Sequence, residues 1–320
     1  MSNIFASTDQ KKKITFIAIY ATIAVIVCLL AALLITQIVA KNKTPSTDPA
    51  GDDAGNIDAN FVEETVTAKD LHSGNLILVN KDNEYIFDDN PAVVSFPTTG
   101  RPYGLKNGNL KVNPIALSAF NDMMKDAYKN ITGCNIVVMT SYRSPEEQTA
   151  LNNGTPAGYS DFHTGMSLEL KEADTWAAIN AATVAEKYQW IYDNAHKYGF
   201  IVRYPDDTED KKFSNLTGVS DYGQVFRYVG VAHATYIKSN NLCLEEYLEL
   251  LRTTYTYDNP LSIKGADGKS YQVYYAAADE NSQIMVSSKY GYEISGDNMN
   301  GYIVTVNKAT RSSVKTTASE

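Results

Sequence analysis

Residues 14–40 constrain this chain most: from Ile14 to Ala40 the sequence is apolar, broken only by isolated polar residues such as Thr22, Thr36 and Gln37. Roughly 20 apolar residues suffice to cross a bilayer as a helix, because a helix pairs its own backbone N–H and C=O groups away from water. The run therefore predicts one transmembrane helix over 14–40. A cleaved signal peptide has a shorter apolar region and a small-residue exit, whereas this run ends Gln37-Ile38-Val39-Ala40. Lys11, Lys12 and Lys13 precede the run, while Lys41, Lys43 and then Asp48, Asp52, Asp53 and Asp58 follow it. The lysine bias places residues 1–13 in the cytoplasm and everything beyond the span outside it.

A chain of 320 residues has ample length for a buried core. Its net charge of −9 comes with scattered lysines and no basic stripe, so no nucleic-acid partner is expected. Of the three cysteines, Cys28 falls inside the apolar run, leaving Cys134 and Cys243 either free or bridged. Residues 41–68 are rich in Thr, Ser, Pro, Gly, Asp and Asn and cannot bury enough surface to fold, so they read as a flexible linker.

The folded part is expected from about Leu71, with Gly74–Asn80 as an entering strand. Asn113 followed by Pro114, with Leu117, Phe120, Met124, Ala127 and Ile131 at helical spacing, predicts an amphipathic helix ending near Gly133. Residues 135–140 read as a buried strand. Ser144 with Glu147 three residues on, and Pro145 between them, is a capping box that opens the next helix. Val184, Tyr188, Ile191, Ala195 and Tyr198 repeat at helical spacing up to Gly199. Residues 200–204 and 226–230 then read as strands, and 244–251 as a helix. From 253 to 306 short alternating segments, Tyr271–Ala277 and Tyr302–Val306 among them, predict a small β appendage; 307–320 read as a disordered tail.

These segments, in this order, resemble the VanY-like D-alanyl-D-alanine carboxypeptidases, zinc enzymes that trim the terminal D-alanine from cell-wall stem peptides. The residues that carry the resemblance are Ile77 to Lys81, Ser141-Tyr142-Arg143-Ser144 with Gln148, Ser160 and Thr164-Gly165, Tyr198 to Pro205, Thr217-Gly218, and Phe226-Arg227-Tyr228-Val229-Gly230 with His233-Ala234. The resemblance implies an α+β fold, a small mixed sheet with helices, over residues 69–252.

The family chemistry uses three protein ligands on zinc, an open position for water, and a carboxylate to move the proton. By resemblance these come from Ser-x-His-x-x-Gly-x-x-x-Asp and from Glu-x-x-His before the Arg-Tyr-Val-Gly strand. Here the first pattern reads Ser160, Phe162, Gly165 and Glu169, and the second reads Tyr222 and Val225. The ligand positions are thus Phe162, Glu169 and Val225, and the catalytic glutamate position is Tyr222. Phe and Val carry no donor atom, so the sequence reading expects no cofactor and no metal ligands. His163, next to the ligand position, reads as pointing to the other side of an extended segment; His72, His196 and His233 are lone and read as structural.

What the resemblance preserves is the part that touches substrate: Arg143, Gln148 and Ser160 are implied to line the pocket for the D-alanyl end. The leading expectation is therefore a membrane-anchored, extracytoplasmic pseudoenzyme that binds peptidoglycan stem peptides ending in D-Ala-D-Ala, or a cell-wall protein. An active carboxypeptidase with a rearranged metal site and a vestigial scaffold are the two alternatives.

Overall fold

A computed structural model describes residues 61–87, 92–278 and 283–311. The expected span 14–40, the residues before it and the linker up to residue 60 lie outside the described residues. Among the described residues no helix is long and apolar enough to cross a membrane.

The described residues begin with β1 (Phe61–Thr65) and three two-residue strands, β2 (Val94–Ser95), β3 (Gly104–Leu105) and β4 (Lys111–Val112). Helix α1 (Pro114–Asn130) starts where expected. Asn113 Oδ1 accepts the Ile115 and Ala116 amides, and Pro114 occupies the first turn, where its missing N–H is no loss. Its buried face, Ala116, Phe120, Met123, Met124 and Ala127, covers one side of the main sheet. There follow β5 (Ile136–Thr140), α2 (Pro145–Leu151), β6 (Ser167–Glu172), α3 (Ala185–Asn194), β7 (Phe200–Val202), α4 (Phe213–Thr217), β8 (Val225–Tyr228), α5 (Val231–Ser239) and α6 (Leu244–Thr254). The last part is all strand: β9 (Leu261–Lys264), β10 (Ser270–Ala277), β11 (Gln283–Ser287), β12 (Tyr290–Gly296) and β13 (Gly301–Arg311).

The main sheet has the order β3-β5-β6-β8-β7, with β3 parallel to β5 and the other pairs antiparallel. This is the mixed α+β sheet the sequence predicts. Strand alternation then decides where chemistry can sit. Leu168, Leu170 and Phe226 go to the α1 side and are fully buried. The register pairs Ser167 with Arg227 and Glu169 with Val225, so these four side chains share the opposite face.

Three expectations change. Residues 74–80 are not a strand, although Leu76 to Val79 are at most 4 % exposed. Among the described residues no strand pairs this stretch; side chains, turns and one backbone bond from the Leu78 amide to Asp297 O do. Arg227 Nη2 donates to Asn75 O and Ile77 O, Arg203 Nη2 to Val79 O, and Asn298 Nδ2 to Leu78 O.

The β region is also no appendage separated at residue 252. The sheet β12-β13-β10-β9 puts Leu261, Ile263, Val273 and Ile303 into one core with Leu244, Tyr247, Leu248 and Leu251 of α6. Its other face packs Tyr274, Tyr302, Val304 and Val306 against Val66, Ile284 and Val286. Finally, β1 takes up residues assigned to the linker and pairs with β11, and β13 runs to Arg311 into the expected tail. Cys134 and Cys243 are free and buried.

Candidate functional site

The strand β5 ends at Thr140, and Ser141 to Arg143 lead into α2. Ser144 Oγ accepts the Glu147 amide while the Glu147 carboxylate accepts the Ser144 amide, so the capping box is complete. This fixes the backbone at Arg143. The Arg143 side chain is half-buried; Nη1 donates to Gln148 Oε1 at 2.6 Å and the guanidinium carbon lies 4.8 Å from the Phe162 ring centroid. Burial draws its pKa down, against the opposing pull of Tyr222 and Glu169.

Gln148 is 1 % exposed, and its Nε2 donates to Asn153 Oδ1 and Thr155 O. It therefore holds Arg143 rather than lining open space. Ser160 is 7 % exposed and precedes a 3-10 turn, Asp161–Thr164. That turn is where the expected extended segment gives way. Four residues in a tight turn send Asp161, Phe162 and His163 inward in different directions, and all are buried. His163 Nδ1 donates to Arg143 O at 2.7 Å and Nε2 accepts the Gly158 amide at 3.1 Å, a tautomer assigned from these partners. Burial pushes the His163 imidazole below its ordinary range, which keeps it neutral and suited to that pattern.

The four positions singled out by the zinc pattern do meet. Phe162 and Val225 form one buried cluster with Tyr204, flanked by Val219 and Tyr222. The rings of Phe162 and Tyr222 meet edge-on at 6.5 Å, and Tyr222 stacks on Tyr204 at 5.8 Å. Glu169, partly buried, accepts from Thr140 Oγ1 at 2.8 Å. Burial, then the Glu169 charge, pushes the Tyr222 phenol far above its ordinary value, so it stays a hydroxyl donor. A cavity of about 350 Å³ adjoins this cluster, walled in part by Lys81, Thr155, Tyr159, Tyr204 and Val219.

Sequence reasoning assigned no role to Asp161, Arg203, Arg227 and Glu245. Arg203 and Arg227, with no exposed surface, both donate to Asp161 Oδ1, and Glu245 takes the far edge of Arg203. This network lies directly beneath the Phe162 turn. Two arginines inside apolar strand segments were the available signal, since a buried guanidinium needs a carboxylate.

A zinc ion takes three nitrogen, sulfur or carboxylate donors from protein. Phe162 and Val225 offer none, which leaves Glu169 as the one donor among the three ligand positions, and both ring nitrogens of His163 are used. Among the described residues no group of three or more His, Cys, Asp or Glu is placed to hold a metal. The side chains gathered here do not fit the ion, and no chemical step is derived through it.

Comparison with known proteins gives these residues their context. The family described as VanY: D-alanyl-D-alanine carboxypeptidase matches residues 109–230. A D-alanyl-D-alanine carboxypeptidase of Enterococcus faecium is 32 % identical over 257 residues, covering 77 % of this chain and 80 % of that protein. The solved vancomycin-resistance D,D-dipeptidase VanXYg, in complex with a D-Ala-D-Ala phosphinate analogue, has a TM-score of 0.63 at 25 % identity, covering 78 % of this chain and 99 % of that one. A second solved structure, a point mutant of the D,D-pentapeptidase VanY from a VanB-type cassette, is similar with a TM-score of 0.43 at 25 % identity, covers 54 % of this chain and 98 % of that one, and is in complex with Zn(II). The family match corrects the expectation of no cofactor, because the VanY carboxypeptidases are zinc enzymes. With the relative matched over most of its length, the chain is a member of the VanY D-alanyl-D-alanine carboxypeptidase family.

Proposed function

We propose that this domain holds the D-Ala-D-Ala end of a peptidoglycan stem peptide without cleaving it. One observation carries the reading. Phe162 and Val225, at two metal positions by resemblance, pack with Tyr204, Tyr222 stands at the base position, and Arg143 stays braced by Gln148. Such a site can pair a carboxylate or carbonyl oxygen with a guanidinium but has a phenol, not a carboxylate, at the position that would activate water. Ser160, at the start of the Phe162 turn, is the second contact proposed for the peptide. The apolar run 14–40 is the proposed membrane anchor, with the domain on the outer face; protease added to intact cells should then remove the domain.

The test is calorimetric titration with an acyl peptide ending in D-Ala-D-Ala, with a parallel assay for released D-alanine in the presence of added zinc. Binding is expected without release, and Arg143→Ala should weaken it by about 1.5–3 kcal/mol, as for a hydrogen bond to a charged group. Equal binding by the variant removes Arg143 from the site. Release of D-alanine favours instead a carboxypeptidase with a rearranged centre, a reading supported by the similarity to the Enterococcus faecium enzyme.

A further inference from the structure

A second cavity, of about 340 Å³, lies on the seam between the main sheet with its helices and the C-terminal sheet. That volume falls at the lower end of the range of about 300–1,000 Å³ in which small-molecule sites occur. Its walls come from both sides. The end of β8 and the start of α5 contribute Tyr228 and His233, with Asn75 beside them, and the C-terminal sheet contributes Asp267, Tyr271, Glu293 and Asn307.

The strand register explains the opening. Tyr271 and Gly291 both stand opposite Asn307, and Glu293 stands opposite Thr305, so these positions share the sheet face turned toward α5. Deeper on that face Val273 and Ile303 fill the gap with apolar side chains. At Gly291 the Thr310 side chain occupies the place a side chain would take and adds a hydroxyl to the wall, and β12 is irregular there, with a register shift between Tyr290 and Gly291. The floor is held by His233, whose Nδ1 pairs with the Tyr247 hydroxyl at 2.7 Å and whose Nε2 pairs with Thr305 Oγ1 at 2.9 Å.

The charged groups of the wall are two carboxylates, Asp267 and Glu293, and one ammonium, Lys269. Asp267 is paired with Lys269 at 3.3 Å and accepts from the Tyr271 hydroxyl at 2.7 Å. No ion pair is found for Glu293 among the described residues, and its charge acts on the phenols of both Tyr228 and Tyr271. Asn75 Nδ2 donates to Val229 O and Asn307 Oδ1 accepts the Ala309 amide, so these two lining residues keep one amide oxygen and one amide NH₂ for other partners. The wall thus offers aromatic rings beside interleaved donors and acceptors. An anion is disfavoured by Glu293, and a bulky apolar ligand would strand the amides and carboxylates unpaired. A saccharide satisfies both requirements: the C–H faces of a pyranose pack on aromatic rings, and its hydroxyls donate and accept at once.

We propose that this seam cavity is a binding site for a neutral, hydroxyl-rich saccharide unit, with Tyr271 and Tyr228 as its aromatic walls and Asn75, Asn307 and Glu293 as its hydrogen-bonding groups. The inference does not rest on the peptide reading of the Arg143 site, from which it differs in every residue.

The experiment is saturation-transfer NMR on the full chain with the trimer of β-1,4-linked N-acetylglucosamine as probe. Transfer to the sugar protons is expected to saturate with concentration, and an excess of acyl-D-Ala-D-Ala peptide should not displace it. Tyr271→Ala and Asn307→Ala should each weaken binding about five- to ten-fold, the effect of losing one net hydrogen bond or contact. An unchanged thermal midpoint identifies which of the two variants has kept its fold, and the folded one decides. The proposal is overturned by no transfer to the trimer, by equal transfer in the folded variants, or by displacement with the peptide. Transfer to N-acetyl-lysine methyl ester but not to the trimer also overturns it, because the cavity would then be an ammonium site.

Discussion

Asp161 is 1 % exposed and carries two arginines that have no exposed surface at all, at 3.1 and 2.6 Å. Burial alone would raise its carboxyl, but Arg227, Arg203 and the Ser167 hydroxyl hold it below its ordinary value of 3.8. A folded pKa below the unfolded one gives stability that is complete above that value and fades as the pH falls through and below it. Asp161→Asn leaves the guanidiniums buried with reduced compensation, and about 3–5 kcal/mol of unfolding free energy should be lost in urea titrations at neutral pH. The gap between variant and parent should narrow as the pH approaches 3; a variant as stable as the parent would deny the network its role. The neighbouring Phe162 and Val225 answer a different question. They share a cluster, and Glu169 is the cross-strand partner of Val225, so Phe162→His with Val225→His sets two imidazoles beside one carboxylate. Zinc affinity, measured by calorimetry, should rise above that of the parent because the donor set then reaches three. No rise in a variant that keeps its circular dichroism would refute the assignment of these two positions.

The entry to helix α2 and the turn Asp161–Thr164 meet through one backbone bond, Arg143 N–H to Phe162 O, and through side chains, and their coupling is measurable. Gln148 ties Arg143 to Asn153 and Thr155, while His163 ties the Arg143 carbonyl to the Gly158 amide. Gln148→Ala should therefore weaken peptide binding with Arg143 still present, and its effect should be non-additive with Arg143→Ala in a double-mutant cycle. Additive effects would make Gln148 a structural residue only. The start of α2 was legible in the sequence because its signals are local: Ser144, Pro145 and Glu147 sit within one turn, as do Asn113 and Pro114 for α1. The meeting of Phe162, Glu169, Tyr222 and Val225 was legible only through resemblance, since no local spacing brings 162 beside 225. The Gly74–Asn80 stretch was misread for a physical reason. Its apolar pattern is that of a buried strand, but Arg203, Arg227 and Asn298, remote in sequence, take its carbonyls. β1 was read as linker because its partner β11 begins more than 200 residues later, and polar residues flank it.

Across the whole molecule, the C-terminal sheet and the α5–α6 layer share an apolar core, and at its edge stands a single buried imidazole. His233 is 3 % exposed and spans the seam, from Tyr247 on α6 to Thr305 on β13. A neutral imidazole fits, as one nitrogen donates and the other accepts, whereas a protonated ring would be a buried charge with no carboxylate among its hydrogen-bond partners. Burial accordingly drives its pKa from the ordinary 6.5 down to about 3. Between those two values the unfolded chain binds a proton that the folded one refuses. Stability is then full above pH 6.5 and falls as the pH drops toward 3, by up to about 1.4 kcal/mol for each unit. His233→Gln keeps an amide that can donate and accept but cannot titrate. The variant should be less stable than the parent at pH 7, where packing around the ring is lost, yet its unfolding free energy should decline less steeply from pH 6.5 to 4.5. Urea unfolding of both proteins across that range, followed by far-ultraviolet circular dichroism, gives the two slopes. Identical slopes would mean that the imidazole takes up its proton equally in both states, and that the seam is not closed around a neutral ring.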